Sequence, residues 1–164
     1  MTPQGKELLT ADIFARLPYG VKLNCVIDFS NDLETLENKD VVEFVPKDIA
    51  LNYNGVVVYL EDNDEFDQDT MNAIKDYVES GFVTIDNLVP YLRPLSSATK
   101  EEMEEFEELF TSYSISEDRN TIYNSRRGDL DLKFVDWLNS HHFDYRGLIE
   151  LGIALNAPEG MYNC

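Results

Sequence analysis

Cysteine and histidine are scarce in this chain, and both scarcities exclude chemistry. Cys25 and Cys164 are the only thiols, too few for the disulfide framework of a small secreted domain. Cys25 lies in an apolar, alternating stretch and reads as a small buried hydrophobe. The two histidines are adjacent, His141 and His142, which leaves carboxylates as the remaining general bases. No GxSxG elbow, GxxxxGK[ST] loop, HExxH, CxxC or GxGxxG occurs, so no familiar catalytic signature is present and a non-enzymatic protein is expected. No N-x-[ST] sequon occurs either. Met1 to Lys6 lacks the basic and apolar regions of a secretory signal, and no run approaches the roughly 18 apolar residues of a membrane span. The expected location is cytoplasmic.

Positive charge is scarce as well. Thirteen Lys and Arg face 32 Asp and Glu, for a net charge of -19. Such a field repels phosphate backbones and anionic membranes, so neither direct nucleic-acid binding nor a membrane partner is expected. It favours basic partners and speeds encounter with them. The bland alternative is that acidity only keeps the protein soluble.

What the chain does have is material for a core. Hydrophobic residues make up 43%, with nine Phe and nine Tyr, in a chain long enough to bury roughly 70% of its unfolded surface. Met1 to Leu9 reads as a lead-in, and Thr10 as the cap of a short helix to Leu17. Val21 to Asp28 alternates as a half-buried strand. Val41 to Val45 is a second strand, closed by Pro46 or placed by it at an edge, and Ile49 to Tyr53 a third. Asn54-Gly55 signals a hairpin into Val56 to Leu60, whose valines suggest cover on both faces. A helix capped by Asp67 or Asp69 runs to about Ser80, with Met71, Ile74 and Val78 inward. Phe82 to Ile85 reads as a strand, Asp86 as the cap of a single turn, and Pro90 to Pro94 as a stiff connector.

The remainder reads as helical. Thr99 and Glu102 form a capping box, followed by Met103, Phe106, Phe110 and Tyr113 on one face. Ser114 to Gly128 is polar and irregular. Asp129 to Ser140 is a helix anchored by Leu130, Phe134, Trp137 and Leu138, and Asp144 caps a last helix to Leu151 or Leu155 before a tail from Pro158. The expected fold is α+β: a small, mainly antiparallel sheet flanked by helices in residues 1–94, followed by a helical C-terminal region in residues 95–164 packed on it. Phe134, Trp137, Leu138, Phe143 and Leu148 are expected to join that region to Tyr91 and Leu92.

Four segments carry a resemblance. They are Ala15-Arg16-Leu17-Pro18-Tyr19-Gly20-Val21-Lys22, the run Pro90-Tyr91-Leu92-Arg93-Pro94-Leu95-Ser96-Ser97, the longer run from Asp136-Trp137-Leu138-Asn139-Ser140-His141-His142-Phe143 to Glu150, and Ala157-Pro158-Glu159-Gly160-Met161-Tyr162. Together these resemble uncharacterised small acidic proteins of phages and mobile elements of Bacteroides-type gut bacteria. The resemblance covers about a quarter of the chain and departs from the group's pattern in a longer, more acidic middle from Ser30 to Gly81 and at Leu95 and Ala98, where methionines are expected. It implies a phage or prophage origin, and so the host cytoplasm, but no activity and no cofactor.

Three clusters are candidates for binding. Glu101, Glu102, Glu104, Glu105, Glu107 and Glu108 line one helix, and Glu61, Asp62, Asp64 and Glu65 precede another. Of these, Glu101, Glu104, Glu105, Glu108 and the second cluster form the candidate acidic face for a host protein with a basic surface, or a mimic of duplex phosphates. The alternative is a solvated helix face and carboxylates placed at a helix N-terminus by its dipole. The stretch from Glu61 fits no EF-hand, because the sixth and twelfth positions from Asp62 are Asp67 and Ala73 instead of Gly and Glu. Arg119, Arg126 and Arg127 could hold a phosphate-bearing ligand such as a nucleotide signal, or pair with the glutamates. His141 and His142, with Asp136 and Asp144, are the one set that could hold a metal. Neighbouring helical residues diverge by about 100°, so the two imidazoles are expected to part. Arg127-Gly128-Asp129 reads as a chance tripeptide, with Gly128 supplying a turn. An enzyme with an unfamiliar carboxylate site is the remaining alternative.

Overall fold

The computed structural model describes residues 1–28, 41–44, 46–52, 55–60, 68–78, 83–119, 121–124 and 131–162. The fold is α+β. The chain divides into two compact units, Met1–Ile13 with Lys22–Pro90, and Phe14–Val21 with Tyr91–Cys164. Residues 14–21 therefore belong with the C-terminal half of the chain, and the division falls at Pro90, inside the expected connector.

Helix α1 spans Pro3–Arg16 and begins well before Thr10. Thr2 caps it: its Oγ1 accepts from the Gly5 amide at 3.1 Å, and Pro3 takes the first helical position, where its preset φ suits the turn. Thr10 instead lies within the helix and donates back to the Lys6 carbonyl at 2.6 Å.

In the first unit, β1 (Leu23–Asp28) pairs antiparallel with β2 (Val41–Phe44) on one side. On its other side it pairs antiparallel with the start of β5 (Leu88–Leu92), with Cys25 opposite Leu88. Strands β3 (Pro46–Asn52) and β4 (Gly55–Leu60) form a separate antiparallel hairpin. Pro46 opens β3 instead of closing β2, a place where its missing N–H is harmless. Asn52 pairs with Gly55; Tyr53 and Asn54 lie outside the described residues, as do the side chains of Val56 to Val58. Helix α2 (Gln68–Tyr77) sends Met71 and Ile74 inward, with Val78 just beyond it also buried.

Among residues 83–85 no strand forms. Val83 and Ile85 are buried, but the chain enters a 3-10 turn at Ile85–Asn87. Its cap is Thr84, not Asp86: Thr84 Oγ1 accepts from the Asp86 amide at 3.3 Å, and Asn87 answers by accepting from the Thr84 amide at 2.8 Å. Asn87 also donates to the Val26 carbonyl of β1 at 3.0 Å. Asp86 forms an exposed ion pair with Lys6 at 2.6 Å.

The expected connector is strand β5. Its side chains alternate, with Leu88, Pro90 and Leu92 buried. Pro90 occupies the terminal rung with β1, opposite Leu23, so its missing N–H interrupts no ladder. In the second unit, Tyr91 and Leu92 pair in parallel with β8 (Leu155–Asn156).

Helix α3 (Lys100–Leu109) starts in the expected capping box, with Thr99 Oγ1 accepting from the Glu102 amide at 3.1 Å and Glu102 accepting from the Thr99 amide at 2.7 Å. Thr99→Ala is expected to cost about 1 kcal/mol, read as a lower urea midpoint followed through Trp137 emission. Phe106 and Phe110 are buried in a cluster with Leu95, Ala98, Phe134, Trp137, Leu138 and Phe143, against which Met103 and Tyr113 pack. The segment after α3 is not irregular: β6 (Tyr113–Ile115) and β7 (Ile122–Asn124) form a hairpin. Helix α4 (Leu132–Ser140) is capped by Asp131; residues 125–130, with Leu130 and Asp129, lie outside the described residues.

The expected last helix does not form. Asp144 does cap a turn, its carboxylate accepting from the Leu148 and Ile149 amides at 2.9 and 2.8 Å. Gly147 and Gly152, at φ 73 and 71, turn the chain left-handed on either side and stop propagation.

Candidate functional site

Among the described residues a concave surface lies in the second unit, between the first turns of α3 and residues 156–162, with a volume of about 790 Å³. Its floor is a buried ion pair. Arg93 leaves β5 and meets Glu102 with two parallel bonds, Nη1 to Oε1 at 2.6 Å and Nη2 to Oε2 at 2.8 Å. The two side chains are 12% and 9% exposed. Arg93 also donates to the Ser97 carbonyl at 3.2 Å, and its guanidinium lies over the Phe143 ring at 4.6 Å. Burial pushes the Glu102 carboxyl up, but the bonds from Arg93 and the Thr99 amide outweigh it and hold the group below the usual carboxylate range.

Arg93 and Glu102 cancel each other, so the sign of the groove is set by its rim. Glu101 and Glu105, one helical turn apart, line it on the α3 side, and Glu159 lies opposite. All three are exposed. Glu105 Oε2 lies 3.6 Å from His141 Nε2, an ion pair only when the imidazole carries a proton. The expected glutamate wall is therefore divided. Glu102 is buried structure, Glu101 and Glu105 face the groove, and Glu104 forms an exposed pair with Lys100 at 3.3 Å. Glu107 and Glu108 are exposed and do not line the groove. Glu61, Asp62, Asp64 and Glu65 lie outside the described residues.

The two histidines part company. His141 Nδ1 lies 2.9 Å from the Trp137 carbonyl, and its ring lies on Trp137 with centroids 4.4 Å apart. His142 is buried at 3% exposure and stacks on Tyr162, centroids 3.8 Å apart. Among the described residues no group of three His, Cys, Asp or Glu side chains is placed to hold a metal.

Arg119 turns the β6–β7 hairpin at φ 54 and donates Nη1 to the Ala98 carbonyl at 2.7 Å, a backbone acceptor instead of a glutamate of α3. It lines a second, shallower groove of about 670 Å³ with Thr121, Tyr145, Asp144 and Glu150. Arg126 and Arg127 lie outside the described residues.

Sequence reasoning missed Arg93, Tyr162 and Glu159. The only signal for the Arg93–Glu102 pair is the capping box, which fixes Glu102 but not its partner nine residues earlier. Tyr162 lies in the expected tail, yet its hydroxyl donates to the Tyr91 carbonyl at 2.8 Å. Cys25 is fully buried, and burial pushes its thiol up to about 12, which leaves it inert.

The architecture places the chain among α+β proteins. In comparisons with known proteins, no family model, no curated protein and no solved structure matches it. Among the described residues no helix is long and apolar enough to cross a membrane.

Proposed function

We propose that this chain is a non-enzymatic binding protein that receives a basic surface of a protein partner in the acidic groove of its second unit. The observation that carries the reading is the charge of that groove: among the described residues its one guanidinium is neutralised by Glu102, and the exposed Glu101, Glu105 and Glu159 remain. Exposed carboxylates contribute roughly 0.2–1 kcal/mol each to an ion pair, so they steer and select more than they tighten. The resemblance of the four sequence segments leads us to a host protein as the partner, bound or inhibited in the host cytoplasm. Affinity capture from a bacterial lysate at physiological salt tests this. The expected result is a partner retained by the parent and lost by Glu101→Lys/Glu105→Lys/Glu159→Lys, while Glu107→Lys/Glu108→Lys, off the groove, retains it. Equal capture by parent and groove variant would reject the groove as the site.

The nucleotide-signal reading has less support. Arg119 is engaged by a backbone carbonyl, and Asp144 and Glu150 share its groove, where they oppose a phosphate. A panel of nucleotides is expected to leave the melting temperature unchanged.

A further inference from the structure

The wall of the groove formed by residues 157–162 is anchored at its two ends and exposed in its middle. At one end the Ala157 amide donates to the Leu92 carbonyl at 2.8 Å, and the Met161 amide then closes a turn onto the Pro158 carbonyl at 3.1 Å. At the other end the Tyr162 hydroxyl returns to the Tyr91 carbonyl at 2.8 Å, and its ring lies flat on His142 at an interplanar angle of 20°. Both anchors lie on neighbouring residues of β5. Between them Pro158, Glu159 and Gly160 are exposed.

His142 beneath Tyr162 is strained and poorly suited to charge. Its φ of 58 is in the left-handed region, where a β-carbon is disfavoured. Its Nδ1 is buried without a hydrogen-bond partner among the described residues. The charged and titratable groups that act on the ring are Arg16 from α1, Arg93 from β5 and His141 at the end of α4, all of which oppose a proton. A hydrogen bond to the Tyr19 backbone acts the other way. A proton on Nδ1 would create a buried donor with no acceptor, beside two guanidinium groups.

We propose that Tyr162 is a latch holding the segment 157–162 closed over His142, and that protonation of His142 releases it and removes one wall of the groove. The inference concerns the wall itself and holds whatever the groove binds.

Burial, then Arg16, lowers the His142 pKa from 6.5 to about 4. The unfolded ring takes its proton near 6.5, so the stability contributed by the neutral ring is complete above that pH. It is lost as pH falls toward 4. Local release is the least disruptive response to the proton. It exposes Nδ1 to water, breaks the Ala157 and Tyr162 bonds to the β5 carbonyls and the stacking on Tyr162, and leaves the cluster around Phe106 packed.

Amide hydrogen exchange at Ala157 in the full chain, corrected for intrinsic rate, tests the proposal between pH 7 and pH 4. The expected result is an acceleration of about tenfold or more at Ala157 while the Phe110 amide, bonded to the Phe106 carbonyl at 2.9 Å, keeps its protection. His142→Phe, which keeps a ring under Tyr162 but takes no proton, is expected to lack the acceleration. Should that variant not fold, His142→Asn tolerates the left-handed backbone and is expected to lack the pH step as well. Tyr162→Phe, without the bond to Tyr91, is expected to open at higher pH than the parent. The proposal is overturned by no acceleration in the parent, by the same step in His142→Phe or His142→Asn, or by an equal acceleration at the Phe110 amide.

Discussion

Arg93→Ala destabilises the second unit by about 3–5 kcal/mol, because it leaves the Glu102 carboxylate buried with no counter-charge. The bidentate pair is part-buried, at 12% and 9% side-chain exposure, so water entering the groove replaces the lost bonds only in part. Glu102→Gln is expected to cost less, since an amide oxygen can still accept from the Thr99 amide and preserve the capping box. Arg93→Met combined with Glu102→Leu is expected to recover most of the loss, because removing both charges removes the desolvation cost of both. Urea denaturation followed through Trp137 emission, run as a double-mutant cycle of Arg93→Met, Glu102→Leu and the two together, measures the coupling. Independent, additive losses would show that the pair contributes nothing beyond its separate contacts.

Phe106→Ala costs about 3–5 kcal/mol as well, for a different reason: it opens a cavity. The Phe106 ring is 1% exposed, and the rings of Trp137, Phe110 and Phe134 stand 5.5, 5.7 and 6.0 Å from it, all inclined to it. Inclined rings at these distances add edge-to-face attraction to simple burial. Leu109→Ala, three residues along the same helix but 57% exposed, is expected to change stability by less than about 0.5 kcal/mol. The comparison separates the effect of the cluster from any effect on helix propensity. Similar denaturation midpoints for the two variants would contradict the packing described here.

The reach of the sequence was set by how local the determining interaction was. Helix α3 was legible because Thr99 and Glu102 cap it within one turn and Phe106 and Phe110 recur at the helical period. Helix α2 was legible through Met71, Ile74 and Val78 in the same way. Strand β5 was hidden by Pro90, whose ring reads as a break unless one knows that it falls on the last rung of a ladder. The β6–β7 hairpin was hidden because Arg119, not glycine or asparagine, takes the left-handed turn position. At Asp144 the cap was read correctly and the helix wrongly, since Gly147 and Gly152 end the turn it begins. The groove was the least legible part. Glu101 and Glu105 stand out in the sequence, but Glu159 and Tyr162 reach the groove from a distant part of the chain and Arg93 from across the turn before α3, and no spacing rule connects them.

One feature of the division between the units limits how the molecule can be taken apart. Arg16 is fully buried, donates to the Phe143 carbonyl at 2.8 Å and lies 5.3 Å from the Tyr145 ring, yet it precedes the whole first-unit sheet in the chain. No single cut therefore yields both units intact: a C-terminal fragment beginning at Tyr91 lacks this guanidinium. Reassembly would require a separate peptide bearing residues 14–21, and the affinity of that peptide for the fragment would report how strongly the missing piece is held.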